Sequence, residues 1–241
     1  MIVFSARTGE THDRIRSRGG REATNLSRLR AIIFDLDGTL VDSLDDLTDA
    51  LNASLKAVGG SQVDRKNVRG WVGDGLPALC RRAWSDADDV MLQKFVSMAA
   101  DQYRARCVAK TRPYGNILKM LDLLKARSAP LAVLSNKPHE LTQRVVSELG
   151  MEKFFVEVRG YLTEAEKKPS PQAALSIAGT FGMDPANIML VGDSIVDIQT
   201  ARNAGMTAVS VTWGFQEKIF LKSAGPDHFL DDPLEIFSLL E

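Results

Sequence analysis

From residue 31 onward, short runs of mainly apolar residues alternate with stretches in which apolar residues recur every three or four positions. The runs at 31–34, 131–134, 188–191 and 207–211 show little polar alternation, the pattern of strands covered on both faces. A weaker run at 154–157 predicts a fifth strand. Helical periodicity falls between them, at about 115–127, 138–149, 171–181 and 195–204. Ser170 and Pro171 place a capping hydroxyl and a first-turn proline ahead of one helix, and Gly150 and Gly205 follow two others as left-handed stops. Strand and helix in alternation predict an α/β fold, a Rossmann-like doubly wound parallel sheet.

Residues 47–112 break this rhythm. They read as helices only, at 44–58, 64–69, 76–84 and 87–106, with no good strand between them. A small all-helical cap domain inserted after the first strand is the organisation expected. It leaves 30–46 and 113–241 as the α/β core. Residues 1–29 differ again. The first thirty residues carry seven arginines against Glu10, Asp13 and Glu22, with few apolar residues after Phe4. They contain no apolar segment of the secretory type, and the three acids argue against an organelle transit peptide. A disordered N-terminal extension is the expectation.

Composition narrows the class without naming it. The chain has 241 residues and a formal net charge of −1, which gives no reason to expect nucleic acid as a partner. No run of 18 apolar residues exists, so no membrane span is expected. Cys80 and Cys107 are too few for a disulfide framework at this length, and both read as reduced side chains of a cytoplasmic protein.

Four segments carry chemistry, each at the carboxyl end of an expected strand. In 34–43 (FDLDGTLVDS), Asp35 and Asp37 sit where open α/β sheets place their ligands. Carboxylates this close repel, and a protein keeps them together for a cation or for proton transfer. A solvated Asp-Gly turn is the plainer alternative, but it does not account for so apolar a strand before Asp35. In 134–137 (LSNK), Ser135 and the following N–H groups can donate to an anion. In 167–171 (KKPSP), Lys168 stands at a loop-to-helix junction. In 191–197 (VGDSIVD), Asp193 and Asp197 lie four apart and can point from one face of a helical turn. Carboxylates without a His or Cys cluster favour a hard cation such as Mg²⁺ over zinc. A serine and a lysine add the donors that a phosphoryl group needs.

Taken in order, the four segments resemble the four motifs of the haloacid-dehalogenase superfamily, over residues 31–241. The resemblance implies Asp35 as the nucleophile that becomes an aspartyl-phosphate, with Asp37 as general acid and then base. It implies Ser135, Asn136 and Lys168 at the phosphoryl group, and Mg²⁺ held by Asp35, Asp193 and the backbone carbonyl of Asp37. Asp197 and Thr39 take supporting places, Asp197 ordering Lys168 or a metal-bound water. The superfamily's dehalogenases lack the second acid, whereas its phosphatases and phosphomutases keep it, so Asp37 points away from dehalogenation.

Within the superfamily, 68–75 (VRGWVGDG) and the helix after it resemble the cap of the phosphoglycolate phosphatase branch. Residues 47–112 hold eleven Lys/Arg and seven Asp/Glu, a net +4 that suits a substrate with a carboxylate beside its phosphate. Charged helical faces are the plain alternative. Arg69 and Arg82 are the candidates for contact with that carboxylate, and Trp71 is either lid surface or core packing. The expected partner is a small phosphorylated metabolite, most simply 2-phosphoglycolate. The competing readings are a sugar-phosphate phosphatase, a β-phosphoglucomutase-like isomerase, whose motif usually has Gly-Val where this chain has Gly38-Thr39, and a silent binding protein.

Overall fold

The computed structural model describes residues 30–240 together with Met1. The expected extension at 1–29 therefore lies, Met1 apart, outside the described residues. Along the chain the strands are β1 (Ala31–Phe34), β2 (Val41–Asp42), β3 (Arg112–Pro113), β4 (Leu131–Pro138), β5 (Glu157–Tyr161), β6 (Ile188–Gly192), β7 (Thr207–Val211) and β8 (His228–Leu230). The helices are α1 (Leu44–Ala57), α2 (Arg65–Arg69), α3 (Leu76–Ala83), α4 (Asp89–Arg106), α5 (Ile117–Ala126), α6 (His139–Glu148), α7 (Gln172–Phe181), α8 (Ile195–Ala204) and α9 (Lys218–Ala224).

Six strands form one parallel sheet in the order β5-β4-β1-β6-β7-β8. The central strands are buried throughout, as their unbroken apolar runs require. One buried cluster fills one face of the sheet, with Ile32, Phe34 and Val133, and a second fills the other, with Ile33, Leu190 and Ile177. Register sets the site. Phe34 pairs with Val133 on one side and Val191 on the other, so the residues after β1 and β6 and the second half of β4 emerge at one level. The chain order reverses about β1, and that is where a doubly wound sheet opens its ligand crevice.

The helical insert leaves and returns by one ribbon. β2 and β3 pair antiparallel, Val41 opposite Pro113 and Asp42 opposite Arg112. Between them α1 packs along α4, and Leu51, Leu55, Phe95 and Ala99 join the same buried cluster as Ile32 and Phe34. The return is pinned by Asp46 on α1. This buried carboxylate accepts the N–H of Lys110 (3.0 Å), the N–H of Thr111 (2.8 Å) and the Thr111 hydroxyl (2.7 Å). Asp46→Ala strands those donors and is expected to cost about 2–3 kcal/mol. The measurement is a lower urea midpoint at unchanged slope; an unchanged midpoint would show that water replaces the carboxylate.

Several sequence expectations change. The fifth strand begins at Glu157, not at 154, because Glu152–Phe154 is a turn of 3-10 helix that buries Phe154. Ser170 makes no capping bond to α7; Pro171 holds the cap position instead. The ribbon β2–β3, α9 and β8 were not anticipated. Gly205, left-handed at φ 70°, does end α8.

Candidate active site

Asp35 follows β1 directly and is almost fully buried, with its N–H donated to Val191 O at 2.9 Å. Lys168 approaches from the loop before α7. Its Nζ lies 2.8 Å from Asp35 Oδ1 and 2.6 Å from Asp197 Oδ1. Asp197 in turn closes a capping box at the start of α8, accepting the N–H (3.1 Å) and hydroxyl (2.5 Å) of Ser194. Asp193 precedes that helix, so the four-residue spacing does not place the two acids on one helical face. They meet because the strand end and the helix start converge.

Asp193 accepts the Phe215 N–H at 2.6 Å through Oδ2 and lies 3.4 Å from the Thr39 hydroxyl through Oδ1. Its carboxylate fills a space that two glycines leave open. Gly38, at φ +89°, and Gly214 would each drive a Cβ into Asp193. Across the site, Asp37 Oδ1 accepts the Ser43 hydroxyl at 2.5 Å and the Lys137 ammonium at 2.7 Å. The Ser135 oxygen accepts the Lys137 N–H at 3.3 Å, which leaves its own O–H free to donate.

Carboxylate oxygens of Asp35, Asp193 and Asp197 lie within 4.8 Å of one another, all buried. Against these three acids stands the one ammonium of Lys168, a local excess of two negative charges. Burial is the largest influence on each of these groups, and the neighbouring charges come second. Burial pushes the Asp35 carboxyl up to about 7; Lys168 opposes this and Asp197 adds to it. Asp193 is raised well above the usual carboxylate range, by burial first and by Asp35 next. Burial alone would lower the Lys168 ammonium, but Asp197 and then Asp35 hold it above the usual lysine range. A buried all-oxygen set with unneutralised negative charge fits a hard divalent cation.

A cavity of about 100 Å³ opens over Asp35, Asp37, Ser135 and Lys168. Its roof comes from the helical insert. Leu47, Val72, Leu76, Leu79, Ala100 and Leu141 make most of the wall apolar.

Residues 32–211 match the family model described as haloacid dehalogenase-like hydrolase. The phosphoglycolate phosphatase of Aquifex aeolicus is 33% identical over 213 residues, spanning 88% of this chain and 97% of its own length. That of Neisseria meningitidis is 35% identical over 224 residues, spanning 90% and 95%. A solved structure from Haemophilus somnus, described as a predicted phosphoglycolate phosphatase, superposes with a TM-score of 0.83 at 32% identity, covering 89% of this chain and 99% of its own. The chain belongs to the haloacid dehalogenase-like hydrolase family.

In this hydrolase the residues singled out from sequence do not all face the cavity. Asn136 spends its amide on the backbone: Nδ2 donates to Lys168 O (3.0 Å) and Gly73 O (3.1 Å), and Oδ1 accepts the Lys168 N–H (2.8 Å). These bonds fix Lys168 beside the cavity, which Asn136 also lines. Arg69 donates to Phe215 O (3.1 Å) and Gly214 O (2.6 Å), tying the insert to the loop that holds Asp193. Arg82 bonds Trp71 O (2.6 Å) and pairs with Asp74. Neither arginine lines the cavity, and Trp71 packs against the core. Two wall residues were missed. Lys137 lies within 134–137, where the sequence points to Ser135 and the backbone N–H groups and not to this side chain, and Tyr103, flanked by Gln102 and Arg104 on α4, has no local sequence signal.

No helix among the described residues is long and apolar enough to cross a membrane.

Proposed function

We propose that this hydrolase is a Mg²⁺-dependent phosphatase that cleaves 2-phosphoglycolate through an aspartyl-phosphate on Asp35. The observation that carries the reading is Asp35 itself, buried at the floor of a small cavity with Lys168 on one side and Asp37 and Ser135 on the other. An Asp35 oxygen attacks phosphorus, and the bond from phosphorus to the glycolate oxygen breaks. Asp37, fixed by Ser43 and Lys137, gives the departing oxygen its proton. Asp37 then takes a proton from water, which attacks the phosphoryl group, releases inorganic phosphate and restores Asp35. Lys168 and the free O–H of Ser135 donate to the phosphoryl oxygens as charge moves onto them.

Mg²⁺ would be held by Asp35, Asp193 and the backbone carbonyl of Asp37, with Asp197 retaining Lys168. When bound, the ion offsets the repulsion between a carboxylate nucleophile and a phosphate dianion. The helical insert serves as a lid that excludes water, tied down by Arg69 and Asn136.

The substrate follows from the relatives' names and from the cavity. A sugar phosphate would bring several hydroxyls against an apolar wall and leave them unpaired, a costly arrangement. A two-carbon tail avoids this. The reduced, buried Cys80 and Cys107 agree with a cytoplasmic enzyme.

Phosphate release from 2-phosphoglycolate is expected to stop in excess chelator and to return with added Mg²⁺, since this ion keeps several waters and is held loosely. Full turnover by protein shown metal-free by elemental analysis would contradict the reading.

A further inference from the structure

If the substrate is phosphoglycolate, its carboxylate enters a cavity whose wall is mainly apolar, and a buried charge without partners is strongly disfavoured. The arginines proposed for it from sequence are committed to backbone carbonyls and to Asp74. Arg104 stands at the cavity's edge, half exposed and paired with Asp101 at 3.1 Å.

Two other donors are better placed. Tyr103, on α4, lines the cavity with only 3% of its surface exposed, and its hydroxyl is buried beside the Lys137 ammonium, itself a donor, so the phenol proton has no acceptor among the described residues. Native proteins rarely leave such a group unpaired unless something else occupies the site. Lys137 lies against it, with Nζ 5.1 Å from the ring centre, and spends one of its three N–H donors on Asp37.

We propose that the Tyr103 hydroxyl, backed by the Lys137 ammonium, is the specificity determinant that receives the substrate's second anionic group. This rests on the phosphatase reading above and names the residues that distinguish a carboxylate tail from a neutral one. The phenol is suited to donate. Burial first, and Asp37 against the opposing pull of Lys137, keep it protonated well past the usual tyrosine range. The lid thus supplies the Tyr103 hydroxyl while the core supplies Lys137 and the chemistry, so a substrate lacking the carboxylate forfeits a contact that closure provides.

The test compares 2-phosphoglycolate with ethyl phosphate, which keeps the two-carbon tail and lacks the carboxylate, on wild type and Tyr103→Phe. The variant is expected to lose about tenfold to a hundredfold in kcat/KM for phosphoglycolate and under threefold for ethyl phosphate. Inhibition by free glycolate should weaken in parallel, while inhibition by inorganic phosphate stays. The variant's Tm should hold or rise, since a buried O–H without an acceptor is removed. A fall in Tm would show that the hydroxyl has a structural partner, and equal slowing of both substrates would show a role in chemistry; either overturns the assignment. If wild type does not prefer phosphoglycolate to ethyl phosphate, the reading of phosphoglycolate as substrate itself fails. If wild type does and the variant keeps the same preference, only the role of Tyr103 fails.

Discussion

Asp35→Asn is expected to lower phosphate release by at least about a thousandfold and to abolish any covalent phosphoenzyme, because an amide cannot act as the attacking oxygen. The substitution is nearly isosteric, and it leaves Lys168 paired with Asp197. Stability should not fall with activity. Asp35 is a buried acid whose charged form is disfavoured, with its carboxyl pushed up to about 7 by desolvation, so a neutral amide relieves a local penalty. An equal or higher Tm together with lost turnover would identify Asp35 as a functional group held at a cost to the fold. Quenching the wild type with labelled substrate should place the phosphoryl group on Asp35. Label found on another residue would refute the assignment.

Asp37→Asn should fail differently. Proton transfer is typically worth roughly 10² to 10⁴, and turnover is expected to drop by that order. The nucleophile remains, so labelled phosphoenzyme should form slowly or accumulate, and the second step should stall without a base. Lys137 and Ser43 make the variant more than a lost proton donor. Both now donate to Asp37 Oδ1, and an amide can accept from them only through its oxygen, which weakens the ion pair at Lys137. Ethyl phosphate and an aryl phosphate separate the two effects. An aryl leaving group needs little protonation, so Asp37→Asn should slow its first step far less. Equal slowing of the first step on both substrates, read as the rate of phosphoenzyme formation, would assign Asp37 to holding Lys137 instead.

The fold was legible wherever burial on both faces left an unbroken apolar run. That condition holds for β1, for the first half of β4 and for β6, the strands that position Asp35, Ser135 and Asp193, and nearly so for β7, where Thr207 and Ser210 interrupt the run. It fails at the edges of the sheet. β5 alternates Glu157, Val158 and Arg159, and β8 is three residues long, so neither offers a run to read. The ribbon of β2 and β3 is two residues per strand and is defined only by the pairing of distant positions.

In the site, groups that follow strands were legible because a parallel sheet brings strand ends together whatever the intervening chain does. Groups on the roof were not. Arg69 and Arg82 were chosen for charge, but an arginine's long side chain reaches whichever carbonyl or carboxylate the fold puts nearby, and here those are Gly214, Phe215, Trp71 and Asp74. Tyr103 faces the cavity only because α4 is held in place by packing on α1 and α3, a tertiary fact with no local signature.

The central claim concerns the substrate, and the most direct measurement is kcat/KM for 2-phosphoglycolate against a panel of sugar phosphates, nucleoside monophosphates, pyrophosphate and an aryl phosphate, each with Mg²⁺. The panel should include a sugar 1-phosphate with a bisphosphate, to register isomerisation as well as hydrolysis. The account predicts that 2-phosphoglycolate leads by about tenfold or more, the margin expected when a charged partner group goes unfilled in the other substrates. A higher value for any neutral-tailed sugar phosphate, or turnover of the sugar 1-phosphate without phosphate release, would contradict it.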